Sequence, residues 1–498
     1  MNVNPITRLD YPDPDVIRVE DTYYMVSTTM HFMPGCEILQ SFDLVHWEHV
    51  TYVYETLDHT DAQQLKSGQN IYGQGMWAAS LRYHEGRFYI CFVANDTRKT
   101  YLYTSEKIDG PWKKQLIEGF YHDGSLLFDE DGRSYIVYGN DEIWITELNE
   151  DLTAPKKDGL HRLLVSDHKN PELGYEGSHI QKINGYYYIF LIHSLRDRWM
   201  RTEACFYSDS LEGEFTGGDV LCDDRGYCGQ GVAQGGIVDT PDGKWYAMLF
   251  QDSGAVGRLP ILLPVTWKDH FPVFGQNGHV PEEIEVHSTR PGYIYQPLVG
   301  SDDFCNGLLP RWQFNHDPDP RYYHLDALQG TYTITTREVC TELTQAVNTL
   351  TQRMSYPSCA AEVTVDASAL KEGDVAGLCA FQGCYAAVGI TKHHGKYEVL
   401  MLDKKEDGIL DMTEGTVVES HQMDFRLEAD FCNMKDEARC YYRVNKGDWL
   451  PIGTVHKLYF KLDHFTGCRF GLFCYAAEET GGSACFRDFK YYDVDEIS

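Results

Sequence analysis

Five positions in this chain share one offset from a recurring tyrosine. Twelve residues before Tyr89, Tyr135, Tyr188 and Tyr246 stand Trp77, Asp123, Glu176 and Gln234, and eleven before Tyr24, where the turn is one residue shorter, stands Asp13. Three of the five are carboxylates, set in Pro-Asp-Pro, His-Asp-Gly and Tyr-Glu-Gly contexts. Like charges gathered in one cleft repel, and burial raises their pKa values further. Such a group costs stability unless it performs a task. Two tasks are open, a cation site or a paired general acid and base. Calcium usually draws several oxygen ligands from one local loop, and no dense Asp/Asn loop of that kind occurs here. Glycoside hydrolysis matches better, because it needs one carboxylic acid to protonate the leaving oxygen and one carboxylate on the anomeric carbon side. A third carboxylate would keep the acid protonated near neutral pH. Taken singly, Asp13 and Asp123 read equally well as turn residues and Trp77 as a core residue. The shared register separates them from chance.

The elements that must carry these residues are strands. Thirty-four tyrosines, many adjacent to one another, lie in short alternating runs separated by Gly/Asp turns, the pattern of a nearly all-β chain. One unit recurs as VIRVEDTYYMVS, LRYHEGRFYICF, LLFDEDGRSYIVY, HIQKINGYYYIFL and IVDTPDGKWYAML. Each reads as a hairpin. Five hairpins at blade-like spacing predict a five-bladed β-propeller over about residues 1–295. Residues at matching blade positions are related by pseudo-fivefold rotation, so the five side chains should converge on the mouth of the central channel. RPGYIYQPLVGSDDF (290–304) reads as the exit from that domain. The remainder, 303–498, keeps alternating strand runs such as TYTITT and KYEVLMLD but loses the unit, and reads as a β-sandwich of the concanavalin-like jelly-roll kind. It shows no carboxylate or histidine constellation, which leaves it a structural or substrate-shaping role.

Composition narrows the ligands. The formal charge of −32 disfavours nucleic acid, anionic membranes and strongly anionic substrates; a neutral substrate fits best. No apolar run approaches the ~18 residues that span a bilayer. MNVNPITRLDYPDPDV lacks a basic segment followed by an apolar one, so a cytoplasmic location is expected. The fifteen cysteines, several inside apolar strand-like runs and none in zinc-finger spacing, read as free thiols of a reducing compartment. No Rossmann or P-loop glycine pattern is present, and no organic cofactor is expected.

With these residues in view, the chain resembles glycoside hydrolase family 43, in its β-xylosidase and α-L-arabinofuranosidase branch with a C-terminal β-sandwich. NPITRLDYPDPDVIRVEDTYYMVST and FMPGCEILQSFDLVHW resemble the family's N-terminal signature, HDGSLLFDEDG and YEGSHIQKINGYYYIF its acidic segments, and CFRDFKYYDVDE its last sandwich strand. The resemblance implies Asp13 as general base, Glu176 as general acid and Asp123 as modulator of the acid's pKa. It also implies Arg258, in GRLPILLPVTW, as a sugar contact and Trp77 as a pocket border. Two positions depart from the family. Gln234 stands where many relatives carry a histidine beside a calcium ion or an ordered water; its amide can bond a water or offer its carbonyl to calcium. Phe32 stands where tryptophan is usual, keeping the stacking face and losing the indole N–H. The implied activity is exo-acting hydrolysis with inversion, releasing a terminal pentose from neutral plant cell-wall oligosaccharides. The competing readings are a non-catalytic sugar-binding propeller and a retaining enzyme with Asp13 as nucleophile. The resemblance also leaves room for a homo-oligomer.

Overall fold

The computed structural model describes residues 3–493. Five four-stranded antiparallel sheets follow one another along the chain. Blade 1 is Asp15–Val19, Thr22–Val26, Gly35–Ser41 and Glu48–Tyr54; blade 2 is Met76–His84, Arg87–Ala94, Lys99–Ser105 and Lys113–Ile117. Blade 3 is Ser125–Phe128, Ser134–Asn140, Glu142–Leu148 and His161–Ser166, and blade 4 is Glu176–Ile183, Tyr186–Ser194, Arg201–Ser208 and Thr216–Leu221. Blade 5 is Val232–Asp239, Trp245–Asp252, Arg258–Lys268 and Phe271–Phe274. The first strands of successive blades touch one another in a closed ring, so they line the axis. Between blades lie apolar layers, such as Ile38, Leu81, Ile90 and Phe92 between blades 1 and 2, whose burial supplies the main stabilisation. Each blade takes all its strands from one stretch of chain. The ring is closed by hydrogen bonds instead: the amide N–H groups of Ile6 and Tyr11 donate to Pro260 O and Arg258 O at 3.1 and 3.0 Å. Arg18 of blade 1 also pairs with Asp239 of blade 5 at 2.5 Å.

The C-terminal part is a sandwich of two antiparallel sheets. One holds Gln313–Asn315, Leu350–Arg353, Arg469–Tyr475, Val375–Phe381, Tyr385–His393 and Lys396–Lys404 in that spatial order. The other holds Tyr323–Asp326, Thr331–Thr335, Ser483–Asp493, Ser358–Asp366, Gln422–Asp430, Glu437–Val444 and Leu450–Lys457. Their facing side chains, among them Leu378, Val388, Phe425, Leu427 and Phe486, form the core.

The two domains are welded together. A two-residue propeller strand, Phe32–Met33, pairs with Asn315 and Phe314 and so extends the edge of the first sandwich sheet, which covers what would otherwise be an open edge. Arg353 of the sandwich reaches into blade 1, bonding Asp10 O at 2.9 Å and pairing with Glu37 at 2.8 Å. The seam also gathers three buried imidazoles, absent as a group from the linear reading: His31 lies 4.9 Å from His316 and 5.3 Å from His464 between ring centres. Burial pushes His316 down to about 3 and His464 down to about 4, so these rings are neutral packing groups at ordinary pH.

Candidate active site

The cross-strand register refines the shared offset. Tyr24, Tyr89, Tyr135, Tyr188 and Tyr246 pair with Ile17, Arg82, Leu127, Gln181 and Val238. Four residues before each partner stand Asp13, Ala78, Asp123, Gly177 and Gln234. All five have left-handed backbone, with φ of 52, 29, 48, 64 and 60°. The structurally equivalent positions therefore include Asp13, Asp123 and Gln234, whereas Trp77 and Glu176 sit one residue earlier. The equal spacing in sequence arose because the hairpins of blades 3 and 5 are one residue longer. The ladder shifts at this point in blades 2, 4 and 5, and such bulges re-aim side chains. The result is a graded set. Asp13 and Asp123 are 3% and 7% exposed, while the Glu176 side chain keeps 20% of its surface. Gly177 makes the step feasible, because a Cβ there would lie 2.6 Å from Gln234 Cγ and φ is positive.

Each acid has its own partners. Asp13 Oδ1 accepts from Arg258 Nη1 at 2.7 Å, and its Oδ2 from Thr28 Oγ1 at 2.5 Å. Arg258 Nε lies 3.1 Å from Asp252 Oδ1, and Asp252 Oδ2 lies 3.1 Å from the buried Arg201 Nε. Asp123 Oδ2 accepts from Gly177 N at 2.8 Å. Glu176 Oε2 accepts from Asn140 Nδ2 at 2.9 Å. The backbone of Gln234 is held from behind by the buried Glu203, whose Oε2 accepts the main-chain N–H of Gln234 at 2.7 Å.

His122 sits between two acids, its Nε2 3.5 Å from Asp123 Oδ2 and 3.7 Å from Glu176 Oε2. The three residues present ligand atoms within 4.8 Å of one another, a group to which Asp13 does not belong. One nitrogen and two carboxylate oxygens could surround a cation, and the imidazolium itself accounts for the cluster by supplying the positive charge. Asp123 and Glu176 raise His122 to about 9 despite its burial. Burial raises Asp123 to about 6. Glu176 is likewise desolvated, but the imidazolium of His122 together with the charges of Arg201 and Arg258 outweighs that burial and holds it below its usual range. In the free protein the raised carboxyl is thus Asp123 and not Glu176, in contrast to the expectation that Asp123 keeps the acid protonated near neutral pH. The physical reason is His122, which the sequence showed only as the context of Asp123.

A stability prediction follows. His122 is raised above its unfolded value, so its contribution is fully present below about pH 6.5 and disappears as pH rises through about 9. It amounts to at most about 3 kcal/mol, since one pKa unit is worth about 1.4 kcal/mol. Thermal melts of the wild type should fall between pH 6.5 and 9 by more than those of His122→Gln. Asp123 adds stability of its own as pH falls from about 6 towards 4, because the folded state binds that proton more tightly.

Below the acids, the channel holds a cavity of about 10 Å³ walled by Asp13, Asp15, Asp123, Ser178, His179 and Gln234, room for about one water. Ser178 Oγ is buried there without a partner. Calcium takes six to eight oxygens at about 2.3–2.6 Å; of the Asp15 carboxylate, Oδ2 is committed to Leu81 N at 2.7 Å and Arg82 at 2.8 Å, while Oδ1 lies 3.7 Å from His179 Nε2. The channel has room for about one water.

The remaining expected residues divide. Trp77 borders the acids, its ring 6.3 Å from His122, with its Nε1 buried and unpartnered. Phe32 does not join this hydrogen-bonded group; its ring packs on His31 and under Arg469, whose Cζ lies 3.4 Å from the ring centre, at the seam between domains. The aromatic residue that does reach the site is Phe465, from the sandwich loop before Arg469–Tyr475. Its ring lies 3.7 Å from Arg258 Cζ and 5.0 Å from Trp77. Nothing in the local sequence of Phe465 marks it, because its neighbours there come from residues more than 200 positions away.

Two carboxyls with separate partners, backed by a third and an imidazole at the mouth of a five-bladed ring, are the residue types that acid–base cleavage of a glycoside calls for. The comparisons agree. The model of glycosyl hydrolases family 43 matches residues 3–272, and that of the β-xylosidase C-terminal concanavalin A-like domain matches residues 301–492. This chain belongs to glycosyl hydrolase family 43 and is a glycosidase. It is 27% identical to a β-xylosidase of Formosa agariphila, over 99% of this chain and 89% of that one. It is 24% identical to a xylosidase/arabinosidase of Butyrivibrio fibrisolvens, over 99% of each. Among solved structures, a bifunctional GH43-CE protein of Bacteroides eggerthii superimposes with a TM-score of 0.91 at 42% identity. That match covers 98% of this chain, which spans 63% of the other protein's length.

Proposed function

We propose that this protein is an inverting, exo-acting glycosidase that releases a terminal pentose, β-D-xylose or α-L-arabinofuranose, from neutral oligosaccharides. The observation that carries the reading is the division of the carboxyls: Asp13, hydrogen-bonded to Arg258 and Thr28, stands outside the cluster of His122, Asp123 and Glu176. The division gives base and acid separate positions and separate partners, and inversion uses one carboxyl on the attacking water and the other on the leaving oxygen. Asp13 takes a proton from the water as its oxygen bonds to the anomeric carbon. Glu176, the most accessible acid, gives its proton to the departing oxygen as the glycosidic bond breaks. Sugar covering Glu176 removes its remaining water and raises its pKa, and Asp123 and His122 set the local charge against which that shift occurs. Arg258 and Trp77 Nε1 offer donors to sugar hydroxyls, while Gln234 lines the water-sized channel below. This chemistry calls on no organic cofactor.

The relatives' names support pentosides as the substrate class. The fifteen free cysteines support work in a reducing compartment. The test is direct. The protein is expected to cleave 4-nitrophenyl β-D-xyloside, the corresponding α-L-arabinofuranoside, or both, and proton NMR at early times should show the anomer opposite to that of the substrate. Release of the retained anomer would overturn the mechanism, and inertness towards both substrates would overturn the activity.

A further inference from the structure

Arg201, on the third strand of blade 4, is a buried cation that neither the repeat nor the motifs mark; it is 2% exposed. Its Nε lies 3.1 Å from Asp252 Oδ2, yet neither Nε nor Nη1 has a hydrogen-bond partner, so the two side chains meet as charges rather than through an aligned hydrogen bond. Glu203, two residues on, is not its counterion: that carboxyl accepts from Gln234 N, and burial pushes its pKa well above the usual carboxylate range. A buried guanidinium with unmet donors costs stability, and a buried ion pair is weak evidence of a stabilising role. Arg201 makes a poor structural tie, and its neighbours point to another role.

Those neighbours are the catalytic groups and their supports. Asp252 divides its carboxylate between two arginines, Oδ2 towards Arg201 Nε and Oδ1 towards Arg258 Nε, each at 3.1 Å. Arg258 in turn donates from Nη1 to Asp13 Oδ1 at 2.7 Å. The order Arg201, Asp252, Arg258, Asp13 alternates in sign, and all four residues are buried. Phe250 packs against both guanidinium groups, its ring centre 5.2 Å from Arg201 Cζ and 4.5 Å from Arg258 Cζ. With one oxygen held by each arginine, the Asp252 carboxylate cannot turn, and Arg258 keeps the angle at which it meets the base. The charged groups that face Arg201 are Asp252 and Arg258 from blade 5, Glu176 from its own blade and Asp13 at the start of blade 1. Its charge also reaches the acid: burial raises the Glu176 carboxyl, and His122, Arg201 and Arg258 bring it below its usual range.

We propose that Arg201 is a positioning residue of this active site: acting through Asp252 it fixes the Arg258 guanidinium against Asp13, and its positive charge offsets that of the carboxylates around it. The inference rests on the glycosidase reading and adds a residue that works through others rather than on the substrate.

The experiment separates charge from geometry. Arg201→Met removes both, and kcat/KM on pentosides should fall by about ten- to a hundredfold, the range up to a misplacement near 1 Å. The alkaline limb of kcat against pH should also move to higher pH, because a carboxylic acid that loses a nearby cation holds its proton more tightly. Arg201→Lys keeps the charge and loses the planar fork: the limb should return to its wild-type place while kcat/KM stays low. A loss in Arg201→Met with the limb unmoved is a structural effect and overturns the proposal. Full recovery of kcat/KM in Arg201→Lys overturns the positioning. If Arg201→Met does not fold, the double variant decides: adding Arg201→Lys to Asp252→Asn should cost nothing further, and full additivity shows that Arg201 does not act through Asp252. Carbon-13 NMR of the glutamate carboxyls, with Glu176 assigned by the signal missing from Glu176→Gln, separates this inference from the activity. Glu176 should titrate at higher pH in Arg201→Met than in the wild type even if no pentoside is cleaved. An unmoved signal overturns the charge role even if pentosides are.

Discussion

Asp13→Asn should lose about 10⁴-fold in kcat on every substrate, the upper end of what a positioned base contributes. The amide cannot take the proton of the attacking water, and no neighbour can replace it: Asp252 is bound to Arg258 and Arg201, and Asp123 lies in the other cluster. Arg258 would also lose one of its two anionic partners, the one at 2.7 Å, and keep Asp252, so part of the loss should appear in KM. Glu176→Gln should behave differently. Its loss should be large for an oligosaccharide, whose alkoxide is a poor leaving group, and small for 4-nitrophenol, which leaves without a proton. The two variants measured side by side on both substrate types assign the roles. If Glu176→Gln were equally damaging on both while Asp13→Asn varied with the leaving group, the assignments would be reversed. A non-catalytic sugar-binding propeller predicts no activity to lose in either.

Phe465→Ala is the second large effect expected, and it acts from the other domain. The ring covers Arg258 at 3.7 Å and meets Trp77 at 5.0 Å, so it closes the pocket over the Arg258–Asp13 pair. Removing it admits water to that pair, which weakens every charge interaction there, and loosens the placement of Arg258. A loss of about 10²-fold in kcat/KM is expected, the scale of a misplacement near 1 Å. Truncating a buried phenylalanine also costs about 3–5 kcal/mol of stability, readable as a lower melting temperature. Phe465→Leu separates the two, since it restores most of the buried volume but not the π face over the guanidinium. Its melting should recover while kcat/KM stays low. Phe465→Ala with kcat/KM within twofold of wild type would show that the sandwich does not complete the pocket.

Much of the fold was legible because it is local. A blade hairpin is set by alternation, turn residues and a tyrosine within about a dozen positions, and five copies made the propeller readable. Asp13, Asp123, Glu176, Trp77 and Gln234 were found together for the same reason. Even so, the equal spacing concealed a one-residue offset. Trp77 and Glu176 are not in the position of Asp13 and Asp123, because the left-handed residue in their blades is Ala78 or Gly177. Only paired strands reveal that.

The sequence by itself determined the strand pattern, the five-fold repeat, the three acids and the two-domain order, since each depends on residues close in the chain or repeated along it. The tertiary structure decided what those acids are. It set His122 between Asp123 and Glu176, gave Asp123 the raised pKa, placed Phe32 at the seam, and brought Phe465 from the sandwich onto Arg258. A pKa and a pocket wall are properties of burial and of contacts, and the contacts here join residues hundreds of positions apart.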